Sequence, residues 1–190
     1  MSGRRVICVD VESTGLDDQH VVIELAAIDL ESGESWRFVP RLLADDLATA
    51  DPRAFAVNRY FERRVFDDVT PDPHNYLYEF AEVLHDCTFA GSNPAFDAAM
   101  VRKLYRRYEN DVVYVPKWHH RLLDLSAYAA GVLGIAVDDL PGLSDVCELL
   151  EVRNEEPHTA AGDAWATVRC FEQLAEFERL RAAHLAGAAQ

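Results

Sequence analysis

Cysteine is scarce and scattered in this chain of 190 residues. There are 4, at Cys8, Cys87, Cys147 and Cys170, and none forms a Cys-x-x-Cys pair. That spacing argues against a disulfide framework or a cysteine zinc site. Buried free thiols in a reducing compartment are expected instead. Long apolar runs are missing too. Nothing approaches the ~20 residues of a membrane span. The early run Val6-Ile7-Cys8-Val9 is broken by Asp10 and is too short for a signal-peptide core. A cytoplasmic protein with no membrane association is expected. Repeats and low-complexity tracts are also absent, which excludes a collagen-like or linker-rich chain. Positive charge is sparse: 18 Lys and Arg stand against 33 Asp and Glu, a formal net charge of −15. Such a surface does not suit a long polyanion. Any nucleic-acid contact must be local, short or helped by metal.

What is present is length for one sizeable core, with 49% hydrophobic residues. A single domain over residues 1–190 is expected, with its core at about 5–178. The remaining tail, 179–190, has an Ala-rich end that reads as a fraying helix. Residues 5–11 form a continuous apolar run, the mark of a strand covered on both faces. Residues 20–30 and 35–39 read as two further strands around a turn at Glu31-Ser32-Gly33-Glu34, which makes an antiparallel meander. Helices follow. Asp51-Pro52 supplies an N-cap and first position. Tyr76, Leu77, Phe80, Ala81 and Leu84 fall at helical spacing. A buried strand at 87–90 ends at Gly91, and Ser92-Asn93-Pro94 opens a helix to about Tyr108. Residues 118–123 suggest a fifth strand, after which Asp124 caps a helix to about Leu133. Residues 143–150 form another helix, and a long one begins near Thr159. The pattern predicts an α/β domain with a mixed sheet and helices on both faces.

Three clusters carry chemistry. In Asp10-Val11-Glu12, residues two apart on a strand share a face. Both carboxylates therefore project together from a buried strand. Paired carboxylates repel and are costly to desolvate; a divalent cation with oxygen ligands resolves both problems. In Asn93-Pro94-Ala95-Phe96-Asp97, Asn93 suits an N-cap and Pro94 the next position. Asp97 falls in the first turn, where the dipole favours negative charge. In His158-Thr159-Ala160-Ala161-Gly162-Asp163, positions five apart lie about 140° apart on a helix. His158 and Asp163 can cooperate only if the helix starts after His158. Gly162 leaves room for another backbone to approach. Four carboxylates on three segments, plus one histidine, suit phosphodiester hydrolysis by two cations about 3.5–4 Å apart. A neutral imidazole suits proton removal from the attacking water.

These three segments, continued in the first by Ser13-Thr14-Gly15-Leu16, resemble in order and separation the motifs of the DEDDh exonucleases. That group includes polymerase proofreading exonucleases, RNase T and oligoribonuclease. The resemblance spans roughly residues 5–175. It implies an RNase H-like α/β fold: a mixed five-stranded sheet, with an antiparallel three-strand meander and two parallel strands, flanked by helices. It also implies 3′→5′ release of nucleoside 5′-monophosphates with two Mg²⁺ or Mn²⁺ ions. By motif match, Asp10 bridges both ions, Glu12 and Asp163 complete one site, and Asp97 holds the second ion through water. His158 is the general base. Thr14, Gly15, Leu16, Asn58, Tyr60, Asn93 and Phe96 are the implied substrate contacts. Two departures stand out. Ser13 replaces a frequent threonine, and Arg59 follows Asn58 where glycine is common. The segment 119–124 resembles the family's strand-to-helix passage, with Asp124 as a cap rather than a ligand.

Substrate identity stays open at this level. Arg102, Lys103, Arg106 and Arg107 form a helical stripe. It either guides a phosphate backbone or is a solvated face balanced by Glu109 and Asp111. Arg63, Arg64 and Lys117 are further cationic candidates. Phe61 and Tyr60 could stack on a base, whereas Phe55 is expected in the core. Single-stranded 3′ ends of DNA or RNA, or short oligonucleotides, are the expected partners. A homodimer and a delivery partner both stay open. Two other readings compete: an acidic non-catalytic interaction protein or nucleic-acid mimic, and a phosphoesterase acting on small phosphorylated compounds.

Overall fold

The computed structural model describes residues 3–108, 116–136 and 138–188. Five strands, β1 (Val6–Ser13), β2 (Val22–Asp29), β3 (Ser35–Phe38), β4 (Thr88–Gly91) and β5 (Leu123–Asp124), form one sheet in the order β3-β2-β1-β4-β5. β1 runs antiparallel to β2 and β2 to β3, while β4 and β5 run parallel to β1. This is the mixed RNase H-like sheet that the sequence predicts. Among the described residues seven α-helices accompany it: α1 (Ala44–Ala48), α2 (Pro52–Asn58), α3 (Pro73–Leu84), α4 (Pro94–Arg107), α5 (Leu125–Leu133), α6 (Leu143–Leu149) and α7 (Ala160–Ala188). Among the described residues, no helix is long and apolar enough to cross a membrane.

The alternation of side chains along β1 divides the core. Ile7, Val9 and Val11 pack with Phe80 and Leu84 of α3 and Val101 and Leu104 of α4. Cys8 faces the other way, with Ala26 and Ile28 of β2, against α5, α6 and α7 through Leu125, Val146, Ala164, Val168 and Phe171. Burial on both faces explains why β1 reads as an unbroken apolar run. It also sends Asp10 and Glu12 toward the face that α7 covers. The four cysteines are buried free thiols.

Local chemistry explains most helix starts. The Asp51 carboxylate accepts the Arg53 N–H at 2.8 Å, with Pro52 next in line. Asp124 accepts from Ala127 N–H at 3.0 Å, so it caps α5 as expected. Asn93 departs from expectation: its side chain makes no capping bond, and the Phe96 N–H bonds the Asn93 carbonyl instead. Its backbone, at φ −145° and ψ 64°, does not take the extended shape of the Asp51 and Asp124 caps. The fifth strand is also shorter than expected. Lys117 and His119 bond across to Asp86 and Cys87. The chain then bends at His120-Arg121, and the ladder with β4 resumes only at Leu123. Trp118 lies in this stretch as a core residue, 4.9 Å from the Phe89 ring between centroids. The tail anticipated from residue 179 continues as helix α7 to Ala188.

Candidate active site

β1 outruns its parallel neighbour. The β1–β4 pairing stops at Cys8 and Ala90, one residue before β4 ends at Gly91. The Val11 N–H beyond that point therefore lacks a ladder partner, and Asp97 of α4 supplies one, its Oδ1 accepting at 3.0 Å. This contact joins two of the three acidic segments. The third arrives with α7. Thr159 Oγ1 accepts the Gly162 N–H at 2.9 Å and donates to the Glu156 carbonyl at 2.9 Å. The helix thus starts at Ala160, after His158, as the spacing requires. A Cβ on Gly162 would lie 2.0 Å from the Glu156 carbonyl oxygen, so only glycine allows that loop to fold back.

The result is convergence. Carboxylate oxygens of Asp10, Glu12 and Asp163, one from each, lie within 4.8 Å of one another. Burial raises the pKa of Asp10 well above the usual carboxylate range, and the charges of Asp97, Asp163 and Glu12 push it further. Burial, with the charges of Asp163 and Glu24, pushes Glu12 up to about 7. Burial also lifts Asp97 to about 7, against the restraining hydrogen bond from Val11. Asp163 is raised by burial, while the Asn154 amide and the nearby His158 oppose the rise. Asp10 Oδ2 is buried without a hydrogen-bond partner. A buried acceptor with no donor, among oxygens that repel one another, is a poor arrangement without a counter-ion. Hard oxygen donors fit a divalent cation such as Mg²⁺ or Mn²⁺.

The implied substrate residues divide. Gly15, Leu16, Asn58 and Phe96 line a cavity of about 400 Å³ that opens beside Glu12, together with Arg53 and Val57. Leu16 is 82% exposed at its rim. Thr14 is buried: its hydroxyl accepts the Val21 N–H at 3.0 Å and lies 3.3 Å from His20 Nδ1. Asn58 also has a structural task, donating to the Ser13 carbonyl at 3.2 Å and accepting from the Tyr60 N–H at 3.1 Å. Tyr60 is not brought to this cavity. It is buried in a smaller cluster with Ile23, Val39 and Val65, and stacks on Phe55 at 5.2 Å between centroids. Asn93 is exposed at the start of α4. Arg59, at the position where glycine is common, takes the left-handed conformation that ends α2, with φ 53°.

The basic stripe is partly spent inside the fold. Lys103 Nζ donates to the Asp18 and His20 carbonyls. Arg107 pairs with Asp46 at 2.7 Å, and the Arg102 guanidinium lies 4.4 Å from the Trp118 ring centroid. Glu109 and Asp111 lie outside the described residues. Arg64 pairs with Asp67 at 2.7 Å. Sequence reasoning missed Glu24, Asn154 and the bonding of Arg63. Glu24 had a visible signal, a single charge within the apolar run 21–28. Asn154, which donates to Asp163 Oδ1 at 2.6 Å, had none.

Comparison with known proteins agrees with this geometry. No curated protein matches the chain in sequence. Solved structures share its fold. E. coli exonuclease I in complex with a dT13 oligonucleotide gives a TM-score of 0.70 at 18% identity, covering 96% of this chain and 43% of that one. The zinc-bound form of E. coli exonuclease I with single-stranded DNA gives 0.71 at 17% identity, over 94% and 42% of the two chains. Exonuclease I of Methylocaldum szegediense gives 0.62 at 17% identity, over 90% and 40%. The chain thus spans less than half the length of each of these neighbours. The sequence model of the exonuclease (RNase T) family matches residues 7–171, through all three acidic motifs, and the chain belongs to that family.

Proposed function

We propose that this chain is a divalent-cation-dependent 3′→5′ exonuclease on single-stranded DNA or RNA, releasing nucleoside 5′-monophosphates. The observation that carries the reading is the closing of Asp10, Glu12 and Asp163 to within 4.8 Å around the partnerless Asp10 Oδ2. Family membership and the single-stranded DNA held by two of the fold neighbours support it.

In this reading Asp10, Glu12 and Asp163 would hold one Mg²⁺ or Mn²⁺, and Asp10 with Asp97 a second. When bound, such a pair supplies electrostatic stabilisation to the attacking and leaving oxygens. The chain's own residues do the rest. Leu16, Phe96 and Val57 offer an apolar seat for the terminal base beside Glu12. His158, exposed on its loop near Asp163, accepts a proton from the attacking water on its imidazole. The water oxygen bonds to phosphorus, the bond to the 3′ oxygen breaks, and the leaving oxygen takes a proton from solvent water. That leaves a mononucleotide and a strand shortened by one residue with a new 3′ hydroxyl. Val11 fixes Asp97, and Asn154 fixes Asp163, so two ligand carboxylates are oriented before any cation arrives.

The test uses single-stranded oligonucleotides labelled at either end, with Mg²⁺ or Mn²⁺. Stepwise erosion from the 3′ end, lost in Asp10→Ala and strongly reduced in His158→Ala, is expected. Erosion from the 5′ end alone, or no cleavage with either ion, overturns the proposal. Matched RNA, DNA and dinucleotide substrates then rank the preferred polymer, and small phosphodiesters run alongside test for a non-polymeric substrate.

A further inference from the structure

Glu24 stands opposite Glu12 on the adjacent strand and is 1% exposed. Two guanidinium groups hold it. Arg37 Nε donates to Oε1 at 2.9 Å, and Arg63 donates from its second terminal nitrogen to Oε2 at 2.5 Å. The other terminal nitrogen of Arg63 donates to two carbonyls, Asn58 at 2.9 Å and His158 at 3.1 Å. One side chain thus ties together the strand behind Glu12, the end of α2 and the backbone of His158. His158 itself sits at φ 60°, a left-handed conformation that a residue with a side chain adopts only when its surroundings impose it. The Thr159 lock holds the loop from the α7 side, and Arg63 holds it from the opposite one.

The geometry points to Arg63 as a positioning residue for the proposed general base: anchored on Glu24, it fixes the His158 carbonyl and so aims the imidazole at the acidic cleft. This rests on the exonuclease reading above. The planar fork of arginine is what the arrangement uses, because one group must reach a carboxylate and two carbonyls at once. Lysine preserves the charge but offers a point donor on a flexible stem. A purely electrostatic role would therefore survive Arg63→Lys, and a positioning role would not.

The experiment is a double-mutant cycle in the full chain, read as single-turnover rates on a 3′-labelled single-stranded oligonucleotide at high enzyme concentration. Arg63→Lys is expected to lower the rate constant about 100-fold, the usual cost of misplacing a reacting group by an ångström. Substrate KM and Mn²⁺ affinity, the latter by calorimetry without substrate, should stay within about twofold if only the base moves. In the His158→Ala background the same substitution should cost nothing further. A parallel readout needs no activity: the His158 ring resonances should shift or broaden in Arg63→Lys while the rest of the spectrum keeps its dispersion. Additive losses in the cycle, rescue of the rate by lysine, or unchanged His158 resonances overturn the proposal. Inactivity of the wild-type chain on oligonucleotides would instead sink the exonuclease reading, so the two failures are distinct.

Discussion

Replacing Asp10 with asparagine should stabilise the cation-free protein at neutral pH while abolishing hydrolysis. Asp10 carries a buried oxygen with no partner and faces the carboxyls of Asp97, Asp163 and Glu12. Its neighbours show the strain: burial and adjoining charge lift Glu12 from 4.5 to about 7 and Asp97 from 3.8 to about 7. A carboxyl whose folded pKa is raised binds more protons in the native state. Stability then falls as pH climbs from the ordinary carboxylate range through about 7. Each pKa unit corresponds to about 1.4 kcal/mol. Because the clustered carboxyls share their protons, removing one charge is worth about 2 kcal/mol rather than the full shift. For a chain of this size that is a rise in Tm of roughly 4–8 °C. Thermal melts followed by circular dichroism in EDTA, at about pH 7.5 and about pH 5, test the sign set by linkage. The variant should melt higher at the upper pH, and the gap should narrow at the lower one as wild-type carboxyls take up protons. Saturating Mg²⁺ should reverse the order, since only the wild type gains binding energy from the ion. A variant that melts lower than wild type in EDTA at neutral pH, or a gap that ignores pH, would refute the reasoning.

Three further outcomes are expected. Gly162→Ala places a Cβ 2.0 Å from the Glu156 oxygen and 2.8 Å from Thr159 Oγ1. The His158 loop must then shift, lowering both Tm and turnover, the latter by about 100-fold in a nucleotide-release assay. Asn154→Ala removes the 2.6 Å bond to Asp163 and should weaken Mn²⁺ binding about 10-fold by calorimetry. Leu16→Ala removes a side chain that is 82% exposed. Its Tm should not change, while KM for a single-stranded oligonucleotide should rise several-fold, about 1 kcal/mol of lost apolar contact.

Much of this architecture is legible in the chain because local signals and tertiary demands agree. The unbroken apolar run of β1 announces a strand covered on both sides, and Asp51, Asp124 and Thr159 announce helix starts that the structure keeps. The room at Gly162 is legible for the same reason, since a bare Cα invites a crossing backbone. Other features depend on partners far away in sequence. Lys103 and Arg107 read as a free basic face, but their partners are Asp18, His20 and Asp46. Tyr60 reads equally as a stacking or a core aromatic, and only the cluster around Val39 and Val65 decides for the core. The Asn93 side chain makes no cap because the Asn93 carbonyl takes the Phe96 N–H in its place. Helix α1 is short, with no buried residue, and so leaves no periodic trace. The strand expected at 118–123 bends where two histidines and an arginine meet, and apolar content alone does not reveal a bend.

The route by which the acids meet has a consequence for when the proposed hydrolysis can begin. Asp10 enters with the first strand, Asp97 with a middle helix, and Asp163 with the helix that closes the opposite face of the sheet. A partly folded chain in which α7 has not yet docked is missing both an acid and the adjoining histidine. The proposed hydrolysis therefore depends on all three segments being docked together, and displacing α7 alone would remove it.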